Sequence, residues 1–382
     1  MRHLRLAVLA LLLTPLSAFA QQAAPWHDPS PHKVQFVTVD KDVKLEVLDW
    51  GGTGRPVVLL PAGNTAHVFD DFAPKLTGQY HVYGITRRGY GASSAPAPDK
   101  ANYAADRLGD DVIAVLDALK LDRPVLVGHS IAGEQLSSIG SRHPERVAGL
   151  VYLDAGYSYA FLPAGGNDLT FDLADLENAL KSFQGEKSRK EQAELVQQLL
   201  QKNLPAFEAD LRDLKQSLDA DPAEPKRDPV PGPTAEDCAS FDAYHNWVMR
   251  DQAGGGRVVP PESELRRQTE IQPGGVCKSI DHSAVDAAII GGIQKYSEIG
   301  APVLAIFANP HLPGPYPYNT PAERAAAVAS DTKMVDAQAK ALKAGVPTAR
   351  VVQIPQANHY VFISNEADVL REMSAFIKGL SK

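Results

Sequence analysis

The run Pro124-Val125-Leu126-Val127-Gly128-His129-Ser130-Ile131-Ala132-Gly133 constrains the fold of this 382-residue chain more than any other stretch. Its first half is a short β-branched apolar segment, and a helical pattern opens directly after it and runs to Arg142. Strand and helix must therefore join at a single serine. Such a join forces Ser130 into a strained backbone conformation and holds its hydroxyl clear of the sheet edge. Gly128 and Ala132 must be small because the two arms of the turn nearly touch; glycine is the usual residue at both, and Ala132 with Gly133 beside it is a mild departure. The same pentapeptide could end a strand in an ordinary Ser-rich turn, so the order of the surrounding elements decides between the two.

That order is readable. Residues 34–39 and 43–50 form an opening hairpin around Asp40-Lys41-Asp42, and Pro56–Leu60 is a buried strand. A helix is expected near 68–76, then a strand over 80–85. Residues 103–119 carry Leu108, Val112, Val115, Leu116 and Leu119 at helical spacing, and 147–153 is the strand after the Ser130 helix. Between 157 and 298 the alternation stops. Leu169, Leu173, Leu176 and Leu180 share one helical face, as do Leu204, Phe207, Leu211, Leu214 and Leu218, with a Pro-rich extended connection over 219–233. Strands resume at 302–307 and 349–354, separated by a helix over 322–344, and a last helix covers 367–377. The pattern predicts an α/β fold: a mostly parallel sheet covered on both faces, built from 21–156 and 299–382, with 157–298 inserted as a helical cap. Ligands of such sheets bind beyond the carboxyl ends of the strands, where Ser130 lies.

Residues 1–20 combine Arg2 and Arg5, an apolar run over 6–13 and Ala18-Phe19-Ala20, the pattern of a secretory signal peptide. The run is far short of the roughly 20 residues a membrane span needs, and no later segment is long and apolar enough to span. An exported, periplasmic or secreted product starting near Gln21 is expected. Its removal takes the formal charge from −8 to −10, and that acidity argues against nucleic acid or anionic membrane as partners. A small-molecule substrate remains; oligomeric state is not legible. Cys238 and Cys277 are the two cysteines, neither in a metal-ligand spacing, so no metal or cofactor is expected. In an oxidising compartment they are expected to bond, the alternative being two buried thiols.

A serine hydroxyl needs a base within reach, and the base needs an orienting acceptor. His359, in the polar loop Gln356-Ala357-Asn358-His359-Tyr360 past the final strand, is the candidate base. The other histidines fit less well: His129 sits inside the turn, His143 ends a helix before Pro144, and His245, His282 and His311 fall within or near the inserted lobe.

The order Pro61-Ala62-Gly63-Asn64, then Arg87-Arg88-Gly89-Tyr90-Gly91, then Gly-His-Ser-Ile-Ala, then a terminal Asn-His resembles the α/β-hydrolase superfamily over about 34–151 and 301–382. It is most similar there to serine-nucleophile esterase-like and haloperoxidase-like members. The resemblance implies an oxyanion hole of two backbone amides: Ile131, after the nucleophile, and Gly63, with Asn64 the alternative donor because Pro61-Ala62 replaces the usual His-Gly. The Arg87-Arg88 loop, with Thr86 where an acidic residue is common, reads as structural, Arg88 anchoring it. The usual acid position follows the penultimate strand, yet Asn309-Pro310-His311 stands there. Some members of the superfamily instead place the acid after the strand that follows the serine helix, and the resemblance thus implies Asp154, which stands there, as the acid; Asp331 is a poorer geometric choice, and a dyad without acid stays open. The cap aromatics Tyr157, Tyr159, Phe161, Phe241, Tyr244 and Trp247 either line a cleft or form cap core. The resemblance implies hydrolysis of ester, thioester or lactone bonds through an acyl-enzyme. An epoxide hydrolase or haloalkane dehalogenase would need aspartate at position 130. A lyase or perhydrolase on the same scaffold, or a catalytically weak binding protein, stay open as alternatives.

Overall fold

A turn at Asp42, whose φ of 61° an aspartate tolerates, joins β1 (Lys33–Asp40) to β2 (Val43–Gly51) as an antiparallel pair. The computed structural model describes residues 26–164, 166, 168–183, 188–220, 232–255, 258–311 and 320–381. The expected signal segment 1–20 and most of the 219–233 connection lie outside the described residues. After the hairpin come β3 (Pro56–Leu60), β4 (His81–Ile85), β5 (Val125–His129), β6 (Gly149–Leu153), the short hairpin β7 (Thr269–Gln272) and β8 (Val276–Ser279), and finally β9 (Val303–Ala308) and β10 (Ala349–Ile354). All but β7 and β8 build one eight-stranded sheet, ordered β1-β2-β4-β3-β5-β6-β9-β10. From β4 to β10 every pairing is parallel.

The strands β5, β6 and β9 are buried at every position because both faces are covered. Val58, Leu60 and Leu126 pack with α2 (Ala105–Ala118), α3 (Ala132–Arg142) and α10 (Pro321–Gly345) on one side. Val57, Leu59, Val125 and Val127 pack with α11 (Val361–Ser364) and α12 (Glu366–Gly379) on the other. Two expectations differ in detail. The helix near 68–76 is two short 3-10 turns, Ala66–Phe69 and Ala73–Lys75; Pro74 lacks the N–H that an α-helical ladder through this segment needs. The 103–119 helix divides into α1 (Lys100–Tyr103) and α2 at Ala104 (ψ 145°), which frees Ala105 N to donate to Gly292 O at 3.0 Å.

The helices α4 (Leu169–Phe183), α5 (Arg189–Gln198), α6 (Leu204–Ala220), α7 (Phe241–Gly255), α8 (Glu262–Gln268) and α9 (Ser283–Gly291) interrupt the sheet between β6 and β9. Of the predicted leucine stripes, Leu176 is buried, whereas Leu173, Leu180, Leu211 and Leu218 are exposed. Cys238 and Cys277 are joined, tying the segment before α7 to β8. Contacts from α8 and α9, among others, dock the insertion on the core. Glu264 of α8 accepts from the amide (3.0 Å) and hydroxyl of Thr65, and Val285, Ala288 and Ile289 of α9 pack with Tyr90, Tyr103, Leu108 and Ile131. Among the described residues no helix is long and apolar enough to cross a membrane.

Candidate active site

Ser130 directly follows β5 with φ at 52°, the left-handed region that costs a residue with a side chain. The strain is held by close packing. A Cβ on Gly133 would fall 2.1 Å from Ala155 O, whereas one on Gly128 would stand 3.0 Å from Leu136 and 3.2 Å from Ala132 O. The tightest approach is thus between α3 and the loop after β6, which is why Ala132 is tolerated and Gly133 is not replaceable.

The loop after β6 carries Asp154, also left-handed (φ 48°) and fully buried. It accepts four hydrogen bonds: Oδ1 from Ala308 N (3.0 Å) and Tyr157 OH (2.8 Å), Oδ2 from His359 Nδ1 (2.6 Å) and His311 Nε2 (2.7 Å). Burial alone would raise its pKa; the hydrogen bonds from His311 and His359 outweigh that and hold the carboxyl well below the usual range. His359 sits between β10 and α11. Its carbonyl accepts from His129 Nε2 at 3.0 Å, and the two rings stand 4.8 Å apart. Because His129 precedes Ser130, the serine and the imidazole lie over the same strand end. Burial, with His359 nearby, pushes His129 down to about 3, so it stays a neutral donor. Among the described residues no hydrogen bond joins Ser130 to His359, a separation common before substrate binds.

The structure places three groups that the sequence put elsewhere or left open. His311 does not belong with the insertion: it follows β9, bridges in parallel to Ala357, and meets Asp154. Asp331 of α10 binds not His359 but His311, at 2.9 Å from Nδ1. Tyr157 and Tyr159 pack on the main core beside the site rather than within the cap. Asn309, at the usual acid position, instead donates to Asp336 at 2.8 Å. The sequence signal for His311 was its place two residues beyond Asn309, at the same strand end.

Among the described residues, the amides of Ile131, Gly63 and Asn64 donate to no acceptor within the chain, as an oxyanion site requires. Arg87 fixes the Pro61-Ala62-Gly63-Asn64 loop: it donates to Pro61 O and Ala62 O (both 3.3 Å) and to Gln135 of α3 (2.8 Å). Arg88 forms a buried two-point pair with Asp111 at 2.6 Å. Tyr360 OH closes the ring of loops on Asn64 Oδ1 at 3.2 Å. Glu134, four residues after Ser130, is buried with neither carboxyl oxygen paired. Burial pushes it up to about 8 against the pull of Arg87, so at neutral pH it puts little negative charge under the site.

Among the described residues, two clusters hold metal-type donors. In Asp154, His311 and His359 the contacts of 2.6 and 2.7 Å are those of proton-bridged pairs; two ligands on one tetrahedral zinc would stand about 3.3 Å apart. In the second, Asp70 already accepts from His32 Nδ1 (2.8 Å), His67 Nδ1 (2.9 Å), Trp50 Nε1 (3.0 Å) and Ser263 Oγ (2.6 Å). It is a hydrogen-bonded hub that ties α8 to the core.

A family model described as the alpha/beta hydrolase fold matches residues 55–227. Fluoroacetate dehalogenase from a Burkholderia species is 37% identical over 108 residues, 27% of this chain and 35% of that protein. Epoxide hydrolase A of Mycobacterium tuberculosis is 35% identical over 114 residues, 29% of this chain and 35% of that protein. The chain thus spans about a third of the length of these relatives. The solved structure of E-2-(acetamidomethylene)succinate hydrolase superposes with a TM-score of 0.53 at 16% identity, covering 91% of this chain and all of that one, a likeness of fold. Eight strands in this order, a left-handed serine directly after β5 and these matches lead to one conclusion: the chain has the α/β-hydrolase fold, with residues 55–227 matching that family.

Proposed function

We propose that the protein is a serine hydrolase that cleaves ester-type carbonyl bonds (ester, thioester or lactone) through an acyl-enzyme. The observation that carries this reading is the 2.6 Å bond from His359 Nδ1 to buried Asp154, on a loop pinned to His129 beside the left-handed Ser130. Because Asp154 accepts at Nδ1–H, the Nε2 of His359 is left bare to take a proton. Ser130 Oγ attacks the substrate carbonyl carbon as its proton passes to His359 Nε2, and the carbonyl oxygen becomes an oxyanion facing the amides of Ile131 and Gly63, or Asn64. The intermediate collapses, the leaving group takes the proton from His359, and the acyl group stays on Ser130. Water, deprotonated by His359, repeats the attack and frees the acid.

The named relatives act on fluoroacetate and epoxides. A carboxylate nucleophile attacking carbon in that way forms an ester that water can open; serine would form an ether that it cannot. Serine at 130 therefore favours acyl chemistry. The insertion over the strand ends would exclude water and select the substrate, and the expected export agrees with a bonded Cys238 and Cys277. The test is a panel of p-nitrophenyl esters, thioesters and lactones under pre-steady-state conditions. A burst equal to the enzyme concentration, lost in Ser130→Ala and His359→Ala, is expected. Turnover that survives Ser130→Ala would overturn the reading.

A further inference from the structure

The ring of His311 is held between two carboxylates. Nε2 lies 2.7 Å from Asp154 Oδ2 and Nδ1 lies 2.9 Å from Asp331 Oδ1. An ionised carboxylate accepts and cannot donate, so both ring nitrogens must carry hydrogen and the ring is a cation. We propose that His311, clamped from behind by Asp331, is a positioning residue for His359: a fixed positive charge that shares Asp154 Oδ2 with the base and sets both its orientation and its basicity. This rests on the reading of Ser130, His359 and Asp154 given above.

Orientation follows from counting acceptor sites. An acid that serves one histidine keeps free lone pairs and can rotate or take up water. Here Ala308 N and Tyr157 OH occupy Oδ1, and the two imidazoles occupy Oδ2. Asp154 cannot turn without breaking bonds at both oxygens, so His359 has one seat.

Basicity follows from charge. An anionic Asp154 strengthens the hold of His359 on a proton, and a cation 6.1 Å away, measured between the rings, offsets part of that pull. Among the described residues, the groups facing His311 are Asp154 and Tyr157 from the end of β6, Asp331 from α10 and His359 from the loop after β10. Burial and the charge on Asp154 keep the Tyr157 phenol protonated. Burial disfavours charge on His311, but Asp154 and then Asp331 reverse this and bring it up to about 9. Two carboxylates, one on each ring nitrogen, thus hold the positive charge on His311. No proton passes through it: His359 exchanges protons at Nε2, and Asp154 stays ionised throughout.

The test joins nitrogen-resolved NMR of the imidazoles, from pH 5 to 8, to the pH dependence of inactivation by a fluorophosphonate, whose rate depends on His359 as base. In wild type both nitrogens of His311 should stay protonated over that range, and Asp331→Asn should lower the midpoint by at least a unit. In His311→Gln the acid limb of the inactivation profile should move up by at least about one unit, as expected for loss of a charge at this distance in an effective dielectric near 20, with a tenfold slower rate at pH 6. A His311 that titrates as an ordinary imidazole overturns the role. So does His311→Gln that lowers the maximal rate or the melting temperature and leaves the limb in place. Should His311→Gln fail to fold, the NMR titrations of wild type and Asp331→Asn decide. A wild type that is never labelled sinks the reading of Ser130 and this role together; normal labelling with an unmoved limb sinks this role alone.

Discussion

Replacing Asp154 by asparagine removes the charge and puts an amide NH2 where only acceptors fit. If the NH2 takes the Oδ2 place it meets His359 Nδ1 and His311 Nε2; at the Oδ1 place it meets Ala308 N and Tyr157 OH. The tyrosine hydroxyl can reverse, but the backbone N–H cannot. In the first arrangement His359 must present a bare Nδ1 and move its proton to Nε2, where it can no longer accept one from Ser130. In the second, the imidazolium formed during attack has lost its counter-charge. The comparable change in a serine protease lowers turnover about ten-thousandfold, or about 5.5 kcal/mol of barrier, and we expect a loss of that order here. Breaking a buried charge network typically costs about 3–5 kcal/mol in stability, so circular dichroism and a melting curve must accompany the kinetics. The assay is kcat/KM for an aryl ester at pH 8. A folded Asp154→Asn within tenfold of wild type would refute the assignment of the acid.

Gly133→Ala should lower stability by more than about 2 kcal/mol, read by denaturant unfolding, because its Cβ would overlap Ala155 O; a neutral outcome would contradict the packing around Ser130. Cys238→Ser with Cys277→Ser opens a loop of 39 residues separation, worth about 4 kcal/mol in the chain-entropy view, and should lower the melting temperature as reductant does in wild type. Asp154 and Asp70 both have depressed folded pKa values, Asp70 because hydrogen bonds from His32, His67 and Ser263 overcome the cost of burial. Each therefore contributes stability that is present above the unfolded value near 3.9 and is lost as pH falls below it. Asp70→Asn should flatten the loss of stability between pH 5 and 2. His311 has the opposite sign: raised to about 9, it contributes below pH 6.5 and loses that contribution as pH rises to 9, a slope that His311→Gln should remove.

Much of this was legible because the parallel sheet writes itself into the sequence as short, unbroken apolar runs. Pro56–Leu60 and Ala349–Ile354 are bounded in the structure as the runs are, and Ser130 was marked by the abrupt change from strand to helix. Asp154 was reached through the resemblance: Asn309 offered no charge at the usual acid position, and some members of the superfamily place the acid where Asp154 stands. The pairing of His311 with Asp331 and Asp154 was not legible, for a physical reason: they meet only because β9 lies beside β6 and α10 packs back across the sheet, and no local pattern records that adjacency. Arg87 was hidden likewise, since its partners are the backbone carbonyls of Pro61 and Ala62. The leucine stripes of α4 and α6 gave the right element and the wrong burial. A 3.6-residue period fixes which residues share a face, not whether anything covers it.

The central claim is chemical: the hydroxyl of Ser130 becomes covalently bonded during turnover, with His359 as the group that makes it nucleophilic. Peptide mass mapping after brief exposure to a fluorophosphonate reads this directly. The account predicts one phosphonyl group per chain, on Ser130, with labelling abolished by Ser130→Ala and slowed at least a hundredfold by His359→Ala. An adduct on any other residue, or full-rate labelling of Ser130 without His359, would contradict it.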